Sequence, residues 1–159
     1  MDSFDTICSL SENNTEKLSH LTFFNVGSHR STANYTPEQS AELYANRLEI
    51  AKKSAKIFDM PLIDINSNLG EPLTLPYVKV HHYCSFSAVL CMQKFFKNYY
   101  YASGYPISSF SIKQCDTGSA HYEAFTASML STESTDFYIT GLEKTRLEKV
   151  DFISKFPIT

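Results

Sequence analysis

Hydrophobic and polar positions follow two rhythms along this chain. Short apolar runs occur at Leu21–Val26, Pro61–Ile65, Tyr99–Ala102 and Asp136–Thr140. Turn residues close three of them: Gly27, then Asn66-Ser67-Asn68-Leu69-Gly70, then Ser103-Gly104-Tyr105-Pro106. Brief apolar runs bounded by such punctuation predict buried strands. Between them the apolar positions recur at helical spacing. Ala41, Tyr44, Leu48, Ala51, Ala55 and Phe58 are three and four apart and predict one long amphipathic helix. Its start is marked by Thr36 as N-cap, Pro37 at the first helical position and Gln39 at the third. Cys84, Ala88, Cys91, Met92 and Phe95 predict a second helix over roughly 81–96. Two more are predicted over 119–130 and 145–154, the last burying Leu147, Val150 and Ile153.

Strands that alternate with amphipathic helices predict an α/β fold. The expected architecture is a three-layer α/β/α domain over residues 1–159, with a mostly parallel sheet of four or five strands. Ligands of such sheets bind beyond the carboxyl ends of the strands. The loops opening at Gly27, Asn66, Ala102 and Thr140 are therefore the places to look for chemistry.

Composition narrows the class without naming a function. The length of 159 residues, with 43% hydrophobic and 14% aromatic content, supports a packed core rather than a disordered tail. A net charge of −3 argues against a dominant electrostatic grip on nucleic acid. The densest basic stretch, Arg47, Lys52, Lys53 and Lys56, reads as a solvated helix face. No run of about 18 apolar residues predicts a membrane span, and the first residues lack the pattern of a signal peptide. Cys8, Cys84, Cys91 and Cys115 form no C-x-x-C pair, so free thiols in the cytoplasm are expected. His81, His82, Cys84 and His121 match no common ligand spacing, and no metal site is predicted from them.

Polar groups recur at the expected strand ends. Asn25, Ser28 and His29 follow the first strand, Asn66 to Asn68 the second, and Ser103 and Gly104 the third. Each segment alone also serves as an ordinary turn. Arg146 and Lys149 stand three apart on the last helix and can face one point. Their alternative is surface pairing with Glu148 and Asp151. Two cations near a helix start oppose the helix dipole, an arrangement that a bound anion would relieve.

Together, FFNVGSH, FDMPLIDINSNL, YYYASGYP and STESTDFYITGLEKTRLEKVDFI resemble the PP-loop ATP pyrophosphatases of the adenine-nucleotide alpha-hydrolase-like superfamily. The similarity is to cyano-deazaguanine synthase-like and asparagine-synthase-like proteins. The family signature is a strand followed by S-G-G-x-D-S opening a helix. Met1-Asp2-Ser3 fits its last three positions, with Phe4 to Leu10 as the helix behind. The strand and the three residues before Met1 have no counterpart, so the expectation is an N-terminally incomplete domain that binds ATP weakly at most. The zinc-binding cysteine cluster of the deazaguanine synthases has no counterpart either. The resemblance implies ATP and Mg as cofactors and adenylation of a substrate by the complete protein. It implies Asp2 and Ser3 at pyrophosphate and metal, Asn25 and Ser28 near the nucleoside, Ser103 and Gly104 toward the substrate, and Arg146 and Lys149 near phosphate. Catalytic residues are not assigned. The alternative is a non-catalytic α/β module that binds a protein partner or a second copy of itself.

Overall fold

The computed structural model describes residues 1–13, 17–28, 35–69, 76–113 and 118–156. His29, Gly70, Pro72 and Cys115 lie outside the described residues. The chain divides into two compact units, one of Met1–Leu18 with Val89–Ile158, the other of Ser19–Ala88. The elements in order are α1 (Asp2–Asn13), β1 (Leu21–Asn25), α2 (Pro37–Ile57), β2 (Leu62–Asn66), α3 (Tyr77–Cys91), β3 (Asn98–Ala102), α4 (Glu123–Leu130), β4 (Asp136–Thr140) and α5 (Arg146–Ser154). Single 3-10 turns occupy Ile107–Ser109 and Ser119–Tyr122.

The Ser19–Ala88 unit is a β-α-β crossover followed by most of α3. β1 and β2 pair in parallel, from Leu21 opposite Leu62 to Asn25 opposite Asn66. α2 packs on both strands. Its start is the expected capping box: Thr36 accepts the Gln39 N–H, and the Gln39 side chain accepts the Thr36 N–H at 2.9 Å. Its end is a Schellman turn in which Met60 N–H reaches Ala55 O at 2.9 Å and Asp59 takes φ of 50°. Val26, Cys84 and Ala88 form the core here, with Phe24, Ile65, Leu69, Tyr77 and Val80 against it.

The other unit repeats the crossover. β3 and β4 pair in parallel, from Asn98 opposite Asp136 to Ala102 opposite Thr140. α4 packs on β4, and α1 packs on both β3 and α5. The strands are aromatic on both faces. Tyr99 meets Phe96 and Phe137 edge to face, while Tyr100 stacks on Tyr138 at 5.1 Å. The buried Thr135 hydroxyl donates to Phe96 O at 2.6 Å and fixes the entry to β4.

The fold is thus mixed α/β with parallel pairing, in two sheets of two strands each among the described residues. Two expectations on helices are corrected. α3 covers Tyr77–Cys91 rather than 81–96, because the chain leaves the helix in turns over Met92–Phe95. On α5, Leu147 is 83% exposed and Val150 52% exposed, whereas Lys149 is buried. No helix among the described residues is long and apolar enough to cross a membrane. Cys8, Cys84 and Cys91 are free thiols.

Candidate functional site

In the unit that holds α1, polar side chains gather where β3 and β4 end and where α1 and α5 begin. The centre is Lys149. Its stem runs inward, and its Nζ donates to Ser103 O at 2.6 Å and meets Asp2 Oδ1 at 3.3 Å. The residue is 1% exposed. A buried ammonium costs a great deal unless it is paired and hydrogen-bonded. That requirement, and not an apolar stripe, decides which face α5 turns inward.

A second lysine closes the same corner. Lys144 Nζ donates to Asp5 Oδ1 at 2.7 Å and to Ser9 Oγ at 2.8 Å, and lies 3.8 Å from the centre of the Phe152 ring. Asp2 and Asp5 both stand in the first turn of α1, where carboxylates favour the helix dipole. The Thr6 hydroxyl donates to Asp2 O at 3.2 Å or shares its proton with Thr140 Oγ1 at 2.6 Å. The beginning of α1 is therefore tied to the end of β4, the loop after it and α5 by two ion pairs and a hydroxyl pair. Gly141 makes the closeness possible. Its φ is 71°, and a Cβ there would stand 2.9 Å from Lys149 Nζ and 3.1 Å from Asp5 Oδ2.

The loop after β3 is held as firmly. Ser103 N–H donates to Thr140 O at 3.0 Å. The Ser103 hydroxyl donates to Tyr105 O at 2.8 Å and accepts the Tyr105 N–H at 3.1 Å. Glu123, the first residue of α4, lies near Ser103, Gly104 and Lys149. It is 2% exposed, and its Oε1 has no hydrogen-bond partner. Burial pushes its carboxyl up to about 7; the polar Ser103 side chain and the charge of Lys149 act in the opposite sense.

Of the residues singled out from sequence, Asp2, Ser103, Gly104, Arg146 and Lys149 meet in this unit. Ser3 is exposed beside Asp2. Arg146 opens α5 just after its capping box, in which Thr145 N–H donates to Glu148 Oε2 at 2.7 Å. Arg146 is exposed, and a Cβ on Gly104 would lie 3.7 Å from its Nη2. Asn25 and Ser28 belong to the other unit. There, Asn25 Nδ2 donates to Asn66 Oδ1 at 2.8 Å, and Ser28 hydrogen-bonds Tyr77. Tyr77 itself is pushed up to about 12, chiefly by burial.

Sequence reasoning passed over Asp5, Thr6, Glu123, Gly141 and Lys144, and marked Thr140 only as the start of a loop. Asp5 carried one usable signal, its spacing of three from Asp2 on a helix. His82, on α3, is buried and held neutral, its imidazole pushed down to about 3 by burial and by His81. No protein family, curated protein or solved structure matches this chain.

Proposed function

We propose that this chain is a nucleotide-binding α/β domain of the PP-loop ATP pyrophosphatase type, whose chemistry is the use of ATP to adenylate a substrate. One observation carries the reading. Asp2, Ser103, Gly104, Arg146 and Lys149, drawn from three distant parts of the sequence, meet in one unit at the carboxyl ends of two parallel strands. Ligands of open α/β sheets collect at that edge. The exposed guanidinium of Arg146 suits a phosphate, which it can grip with two parallel hydrogen bonds. Lys149 is already engaged by Ser103 and Asp2, so it braces the site from within.

The donors also suit magnesium. Mg²⁺ is commonly held by one or two carboxylates together with substrate phosphates. The Asp2 side chain is 26% exposed and would be its protein ligand. The metal would neutralise phosphate charge, while Arg146 orients the phosphates and Lys149 keeps Asp2 in place. The four- or five-stranded sheet belongs to this proposal. Its support is that each described sheet pairs its two strands in parallel. A cytoplasmic location goes with it, in keeping with the free thiols.

The second reading, a module that docks a protein partner or another copy, is favoured by the outer face of α5. Leu147 and Val150 are adjacent there and exposed. Calorimetry separates the two. ATP with magnesium should bind saturably to the parent, at about 1 mM or −4 kcal/mol. Arg146→Ala should weaken it by about 1.5–3 kcal/mol, the scale of a charged hydrogen bond, and leave melting unchanged. No heat with the parent, or equal heat with the variant, removes the nucleotide reading.

A further inference from the structure

One aromatic ring stands beside the proposed anion site with its position fixed and part of its surface open. Tyr105 follows Gly104, beside which the Arg146 guanidinium lies. A single hydroxyl clamps its main chain: Ser103 Oγ accepts the Tyr105 N–H at 3.1 Å and donates to Tyr105 O at 2.8 Å. Its ring rests on the imidazole of His121, with centroids 4.7 Å apart and planes inclined by 33°. His121 is anchored in its turn. Its Nδ1–H donates to Ser109 O at 3.0 Å, since a carbonyl oxygen can only accept. Its own carbonyl takes the Ser111 N–H at 3.1 Å. The 3-10 turn Ile107–Ser109 behind it is tied to the loop after β4, where Ile107 N–H donates to Leu142 O at 2.7 Å.

This bracing does not bury the ring. Tyr105 is 41% exposed, and among the described residues His121 is the one ring that packs on it. An aromatic surface left in water forgoes the burial that usually stabilises a tyrosine. A braced, open ring suits a flat ligand, because stacking on it requires little further ordering. The neighbouring guanidinium suits a phosphate. A nucleotide has both parts, a flat base and a charged chain.

We propose that Tyr105, braced by His121, is the platform on which the base of a nucleoside triphosphate stacks while Arg146 holds its phosphates. The inference rests on the nucleotide reading and adds to it the place of the base. The ring supplies the contact, so phenylalanine should serve at 105 and leucine should not.

The test follows two probes by NMR titration, ATP and inorganic tripolyphosphate, each with magnesium. Tripolyphosphate carries the charge without the base. Tyr105→Leu should weaken ATP about tenfold, the scale of a base stacked on an aromatic ring, and leave tripolyphosphate within about twofold of the parent. Tyr105→Phe should keep both within about twofold. In the parent complex, adenine H2 or H8 should show cross-relaxation with the Tyr105 ring. If Tyr105→Leu does not fold, His121→Ala leaves the ring in place without its brace and should weaken ATP but not tripolyphosphate. ATP affinity unmoved in Tyr105→Leu, or a loss shared equally by tripolyphosphate, overturns the inference while the phosphate site stands. A parent that binds neither probe overturns the nucleotide reading, and the inference with it.

Discussion

Glu123 shows what a single buried side chain does to the whole unit. Its carboxyl is pushed up to about 7, so the folded state holds a proton that the unfolded chain releases near 4.5. A group whose folded value is raised contributes stability below the unfolded value and loses it as pH rises through the folded one. Between about pH 4.5 and 7 the parent should therefore lose up to about 3 kcal/mol from this residue alone. Glu123→Gln does not titrate. Urea unfolding at pH 5 and pH 8 should show the variant gaining on the parent at the higher pH. A difference that is the same at both values contradicts the burial argument. At this scale the sequence was partly legible. Arg146, Lys149, Ser103 and Gly104 stood out because strand ends and helix starts concentrate function. Glu123 and Lys144 did not, because their importance comes from partners 20 and 139 residues away. No local pattern records such pairings.

Elements were more legible than residues, since periodicity is a property of neighbours along the chain. The strands fall within a residue or so of their apolar runs, and the Thr36–Gln39 capping box is present as expected. The last helix misled for a physical reason. Leu147, Val150 and Ile153 read as its inner stripe, yet Lys149 turns inward to reach Ser103 O and carries Leu147 and Val150 to the surface. A buried charge with good partners outweighed an apolar pattern. The loop that delivers Lys149 depends on Gly141. Gly141→Ala would place a methyl 2.9 Å from the Lys149 ammonium, on a backbone at φ of 71°. It should cost about 2 kcal/mol or more. Gly104→Ala meets only ordinary contact at 3.7 Å and should stay within about 0.5 kcal/mol of the parent. Equal costs at the two glycines would show that the Lys149 corner is not closely packed. Chemical denaturation of both variants decides it.

At the scale of the molecule, two β-α-β crossovers each make a parallel pair, and α1 docks on the second of them. The alternation of elements foretold α/β pairing in parallel. It did not foretell the two compact units, because strand order is set by contacts between segments far apart in sequence. The central claim is that polyphosphate binds where β3 and β4 end. The most direct measurement is a backbone-amide NMR titration with ATP and magnesium. Shifts should concentrate at Asp2, Ser3, Gly104, Tyr105, Thr145 and Arg146, follow one saturable curve, and vanish in Arg146→Ala. Shifts confined to the exposed face around Leu147 and Val150, or no saturable shift at any amide, would contradict it.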